Sequence, residues 1–163
     1  MQVFFDNPTK NFQLREISRN VNLGLPSVTA HIKALEKEKF VKKEKGNIYS
    51  VYKANKTKKF KIYKRNNILI RLHESGLIDF LLNSLSPNVI VLFGSASRGD
   101  DIETSDIDLF IQSKQQNLKL EKYEKILKRK INLLFEEKIK DMPKELLNNI
   151  INGITIHGYL KVL

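Results

Sequence analysis

Apolar residues recur at helical spacing near the start of the chain, at Leu14, Ile17 and Val21, and predict a helix with one buried face. Asn22-Leu23-Gly24 then breaks the period with turn formers. A second helix is expected from Pro26 to Lys39, with Pro in a first turn whose amides have no intrahelical partner. Its inward positions are Val28, Ile32 and Leu35, and Phe40-Val41 close the same core. Lys42 to Tyr52 (KKEKGNIYSVY) sets a Gly-Asn pair between two short segments, the signature of a hairpin whose turn needs positive φ. The region therefore predicts helix–turn–helix followed by a two-stranded wing.

The pattern changes after residue 65. Ile68, Leu69, Leu72, Leu77, Phe80 and Leu81 keep a helical period across Asn66 to Leu85, interrupted at Gly76. Val89 to Phe93 is continuously apolar and rich in β-branched residues, a buried strand. At five residues it is also the longest apolar run, far too short to span a bilayer. A charged helix is expected over Leu118 to Lys128, packed through Leu118, Leu120, Ile126 and Leu127. A strand over Ile131 to Phe135, a helix over Pro143 to Ile151 stopped by Gly153, and Ile154-Thr155-Ile156 complete the chain. The predicted class is α+β, divided into residues 1–55, a basic connector and linking helix at 56–86, and residues 87–163.

Charge sharpens that division. The 163 residues carry a formal net charge of +11, and residues 1–65, with 16 Lys+Arg against 5 Asp+Glu, account for all of it. No acidic residue lies between Glu44 and Glu74, and Lys53 to Arg65 packs seven basic residues around Phe60, Ile62 and Tyr63. Such asymmetry suggests a polyanion-binding module joined to a neutral one. The absence of cysteine excludes disulfides and thiolate zinc sites. With no charged segment followed by a long apolar stretch at the N-terminus, a cytoplasmic protein is expected.

Residues 14–55, LREISRNVNLGLPSVTAHIKALEKEKFVKKEKGNIYSVYKAN, resemble the winged helix-turn-helix domain of archaeal and bacterial regulators. Only Met1–Phe5 precede Asp6, so the first helix of that family is shortened here. Its lost burial points to a homodimer or to cover from the other domain. In such a domain the second helix enters the major groove with its N-terminal residues on base edges, which nominates Ser27, Thr29, Ala30 and Lys33. Lys42, Lys43, Lys45 and Asn47 on the wing would meet phosphates, which position without specifying sequence. His31 is expected to pack within the helix, and His73 and His157 to lie at the surface or pack.

The most informative stretch is Gly94-Ser95-Ala96-Ser97-Arg98-Gly99 through Ser105-Asp106-Ile107-Asp108. Asp106 and Asp108 open an alternating segment, so both carboxylates face one side of a strand. Two adjacent acids are costly unless a cation neutralises them, and Mg²⁺ is held by one or two carboxylates plus substrate phosphates. Gly94-Ser95 ends the preceding buried strand in a turn whose amides and hydroxyl can cradle phosphates, and Arg98 can clamp one bidentately. Asp100, Asp101 and Glu103 are assigned to capping or solubilising the loop. The stretch resembles the signature of the minimal DNA polymerase β-like nucleotidyltransferases, and the whole chain is similar to archaeal proteins that fuse a winged helix to such a domain. The resemblance implies NTP as substrate, Mg²⁺ on Asp106 and Asp108, phosphates on Gly94, Ser95 and Arg98, and transfer of a nucleoside monophosphate to a protein or nucleic-acid hydroxyl.

It also implies a third carboxylate, at the position filled here by Asn132. An amide cannot take a proton or offset metal charge. Glu136 and Glu137 would replace it only after local rearrangement. The alternative is therefore a transcriptional regulator whose degenerate domain senses nucleotide or, as minimal nucleotidyltransferases often do, binds a small helical toxin as an antitoxin. Two expectations are common to both readings: DNA bound by the first part, and no membrane.

Overall fold

The computed structural model describes residues 1–46, 49–139 and 142–161. They divide into two compact units, Met1–Lys64 and Arg65–Leu163.

In the first unit α1 (Gln2–Asp6), α2 (Leu14–Val21) and α3 (Leu25–Lys37) precede a hairpin of β1 (Val41–Lys45) and β2 (Ser50–Ala54). Asn22 ends α2 in the left-handed conformation, its amide bonded to Ser18 O, and Pro26 occupies the first turn of α3. Ile17, Val28, Ile32, Phe40 and Val41 are buried, while Leu14 and Leu35 are only partly covered and Val21 is exposed. α4 (Lys58–Glu74) begins inside the basic stretch, so residues 58–64 of the connector are already helical. The reason is aromatic. Phe60 packs edge-on against Phe5 at 5.3 Å and Tyr63 against Phe40 at 4.9 Å, within a core that also holds Phe4 and Phe12. His31, expected to pack, is exposed on α3.

The second unit is built on a four-stranded mixed sheet, ordered β5-β4-β3-β6, from β3 (Val89–Phe93), β4 (Ile107–Ile111), β5 (Ile131–Phe135) and β6 (Ile154–Gly158). β3 runs antiparallel to β4 and β6, whereas β4 and β5 are parallel. A parallel pair requires a crossover, supplied by residues 112–130, which contain α7 (Glu121–Leu127). α7 is shorter than expected: Leu118 and Leu120 are half-buried before it, with Leu120 as its N-cap. Within α7 the buried pair is Tyr123 and Leu127, and Ile126 is exposed.

Alternation along the strands gives the sheet two apolar faces. Ile90, Leu92, Ile107, Leu109 and Ile111 join Leu72 and the buried residues of α5 (Leu77–Leu85) on one side. Val89, Val91, Phe93 and Phe110 face the other side with Ile139, Met142 and, from α8 (Lys144–Ile151), Ile150. All five residues of β3 are buried, as its continuous apolarity requires. Among the described residues no helix is long and apolar enough to cross a membrane.

Candidate functional site

Asp108 is the second residue of β4 and pairs with Phe93 on β3 and Asn132 on β5. By strand alternation Asp108 shares the face of Phe110, and Asp106 lies two positions earlier, immediately before β4. At the Phe110 end that face is apolar, with Val91 and Leu134 beside Phe110 in the sheet and Ile150 of α8 in the same cluster. One step nearer the start of β4 the cover stops: Asp108 is half-buried, and Asp106 and Asn132 are exposed. Asp108 thus occupies the polar margin of an otherwise apolar face, with Asp106 exposed just before the strand.

β3 delivers Gly94 to the same margin. Gly94 has φ +71, and a Cβ there would lie 2.5 Å from Asp108 Oδ2. Only glycine provides both that conformation and that space. The chain then makes one short helix, α6 (Gly94–Arg98), instead of an open turn. Ser97 is buried and donates from Oγ to Gly94 O at 2.8 Å, Asp100 N donates to Ser95 O at 3.0 Å, and Gly99 ends the turn at φ +72. Ser95 stays half-buried, and Arg98 points outward with Nε 3.7 Å from Asp100 Oδ2.

The donor set fits one hard cation shared with phosphate, since one or two carboxylates suffice for Mg²⁺. The third position is an amide whose Nδ2 donates to Asp108 Oδ1 at 3.1 Å. Glu136 and Glu137 lie past the far end of β5, the nearer of them, Glu136, about 13 Å along the chain from Asn132. Glu136 Oε1 is occupied by the amides of Glu137 and Lys138. Among the described residues no group of three or more His, Cys, Asp or Glu is placed to hold a metal ion.

The loop between α6 and β4 departs from expectation. Asp101 is buried, not solubilising, and its Oδ2 accepts from Arg129 Nη2 at 2.7 Å. Arg129 Nε also donates to Ser105 O at 2.6 Å. Sequence reasoning missed the pairing because 28 positions separate the two residues and each resembles an ordinary surface charge.

Residues 75–157 match the family model of the nucleotidyltransferase domain. The chain belongs to that family. The match covers the sheet and both halves of the Gly94 and Asp106-x-Asp108 constellation. Nucleotidyltransferase domains generally use a nucleoside triphosphate and a divalent metal ion. Against curated proteins and solved structures the chain has no match.

Outside the nucleotidyltransferase domain, Ser27, Ala30 and Lys33 are exposed along α3. Thr29 is half-buried and lines a groove of about 430 Å³ with Arg15 and Tyr49. Lys42, Lys43 and Lys45 are exposed on β1, and Lys42 Nζ lies 3.3 Å from Glu44, which also pairs with Lys53. Those two lysines hold the Glu44 carboxyl below the usual range, Lys53 foremost. Asn47 lies outside the described residues.

Proposed function

We propose that the Arg65–Leu163 unit binds a nucleoside triphosphate with Mg²⁺ and transfers its nucleoside monophosphate to a hydroxyl of protein or nucleic acid. The Met1–Lys64 unit is, in this reading, a winged helix-turn-helix of archaeal type that holds the protein on cytoplasmic DNA. One observation carries the first part: Gly94 abuts the Asp108 carboxylate at the uncovered margin of its sheet face, two residues from Asp106.

Asp106 and Asp108 would hold the ion, which, when bound, offsets the charge of the two carboxylates and the polyphosphate. Gly94 leaves room for phosphate oxygens beside Asp108. The half-buried Ser95 hydroxyl donates to one of them, and Arg98 exchanges its loose contact with Asp100 for a bidentate grip on another. In the transfer, the acceptor oxygen bonds to the α-phosphorus while the bond from that phosphorus to the α–β bridging oxygen breaks. Pyrophosphate departs with the bridging oxygen. The acceptor's proton passes to solvent, because the Asn132 amide cannot receive it. On the first unit, Ser27, Thr29, Ala30 and Lys33 would read bases, and Lys42, Lys43, Lys45 and Asn47 would meet phosphates.

A second reading is favoured by the hydrogen bond from Asn132 to Asp108, which occupies an oxygen that a metal would use. In it the domain binds nucleotide without turnover and adjusts DNA binding. The full chain incubated with each α-labelled NTP, Mg²⁺ and protein or RNA acceptors separates the two. Labelled acceptor supports transfer, and saturable NTP-dependent stabilisation without product supports sensing. Neither result would overturn both.

A further inference from the structure

We propose that Arg129 is a positioning residue that fixes Asp106 for nucleotide–metal binding, an inference resting on the role assigned above to the Asp106 and Asp108 pair.

The two acids are held differently. Asp108 lies within the sheet, with ladder partners on both sides in Phe93 and Asn132. Asp106 precedes the first paired residue, Ile107, so the ladder does not fix it directly. Its backbone is set by the loop before it, and Arg129 fastens that loop at both ends. Nη2 reaches Asp101 Oδ2 at 2.7 Å and Nε reaches Ser105 O, one residue before Asp106, at 2.6 Å. Between these points Ser105 N donates to Ile102 O, and Ile102 N donates to Ser105 Oγ, so the loop is a closed turn. Arg129 is itself anchored where β5 begins: its amide bonds to Glu124 O, and the next carbonyl, Lys130 O, accepts from Ile107 N at 2.8 Å.

The chemistry suits a clamp. The side chains of Arg129 and Asp101 are 10% and 8% exposed, so the pair is largely shielded from solvent. A planar guanidinium can serve a carboxylate and a carbonyl at once, whereas an ammonium is a single compact charge. Removing one partner of a buried pair leaves an uncompensated charge, which the loop must relieve by moving. That movement begins one residue from Asp106.

Mn²⁺·ATP binding to the full chain, followed by titration calorimetry, tests this with Arg129→Lys, Asp106→Asn and the double variant. Arg129→Lys is expected to stay folded by circular dichroism and to bind Mn²⁺·ATP about tenfold more weakly, the scale seen when supports of metal ligands are lost. In the Asp106→Asn background the same change is expected to cost nothing further. Wild-type affinity in folded Arg129→Lys would overturn the assignment, as would an undiminished loss when Asp106 is already Asn. Should Arg129→Lys unfold, Asp101→Asn/Arg129→Gln, a neutral hydrogen-bonding pair, takes its place in the same cycle. If the wild-type chain itself fails to bind Mn²⁺·ATP, the nucleotide reading is wrong, a result distinct from either of those.

Discussion

Gly94 leaves no room for a side chain beside Asp108: the first carbon added to it would meet Oδ2 at 2.5 Å and Cγ at 3.4 Å. Gly94→Ala therefore carries two costs, positive φ for a residue with a Cβ, about 1–2 kcal/mol, and displacement of the carboxylate. Gly76 isolates the first cost, because its φ is +76 and nothing lies within 4 Å of its Cβ position. Both alanine variants are expected to lower the melting temperature, by about 4–8 °C per kcal/mol in a domain of this size. Only Gly94→Ala is expected to abolish the further stabilisation by Mg²⁺·ATP. Equal ligand responses in the two variants would remove Gly94 from the site.

Replacing both acids tests the site without touching the core, since Asp106 is exposed and Asp108 half-buried. At a hundred times its Kd, a ligand that binds only the folded state stabilises it by about 2.7 kcal/mol. The wild type is expected to gain that amount from Mg²⁺·ATP in urea unfolding. Asp106→Asn/Asp108→Asn is expected to gain none and to bind duplex DNA like the wild type. Parallel loss of DNA binding would show that the two activities are not separable in this way.

Much of this site is legible in the sequence because its signals are local. Val89 to Phe93 reads as a strand from its own apolarity, Gly94 sits where that strand must stop, and Asp106-x-Asp108 marks where the next strand opens. The Gly76 break between helices is visible for the same reason. What the sequence hides depends on tertiary contact. The Asp101–Arg129 pair forms only because the crossover returns residue 129 to the loop before β4. Leu118 and Leu120 suggest a longer α7, yet they pack against the core from the segment that precedes the helix. Phe60 looks like part of a basic linker until its partner Phe5, 55 positions away, is in view.

Asn132 stands opposite Asp108 in the parallel register and donates to it. Asn132→Asp replaces that hydrogen bond with a second negative charge directly across the ladder, where like charges are destabilising. Without divalent ions the variant is expected to unfold at lower urea than the wild type. A divalent ion between the two carboxylates reverses the sign, so Mn²⁺ is expected to stabilise the variant more than the wild type. Identical Mn²⁺ responses would show that residue 132 does not face the ion.

Glu124 ties α7 to the start of β5, accepting at Oε1 from Ile131 N and at Oε2 from Lys130 Nζ, both at 3.1 Å. The Ile131 amide first, and Lys130 second, hold its carboxyl below the usual range. A folded-state pKa depressed in this way contributes stability that is fully present above the unfolded carboxylate value and is lost as pH falls through the folded value. Glu124→Gln keeps a carbonyl for Ile131 but no charge. The urea midpoint of the wild type is expected to exceed that of Glu124→Gln at pH 7, with the difference vanishing below the normal carboxylate range. A difference independent of pH would assign the effect to packing.

The DNA reading of the first unit makes a graded prediction across neighbouring lysines. Each phosphate contact releases counterions, so the slope of log affinity against log salt falls by about one for each contacting cation removed. Lys42 lies 3.3 Å from Glu44, which offsets part of its charge, whereas Lys43 and Lys45 are exposed on the same strand. Lys43→Ala and Lys45→Ala in the full chain are each expected to reduce the slope by about one, and Lys42→Ala by less. Lys33→Ala, on α3, is expected to change affinity unequally among duplexes of different sequence if that residue reads bases. Fluorescence anisotropy with labelled duplexes over a KCl series measures both effects. Equal slopes for the wild type and all three wing variants would exclude the hairpin as a phosphate-contacting element, and any DNA affinity would then have to come from elsewhere in the chain.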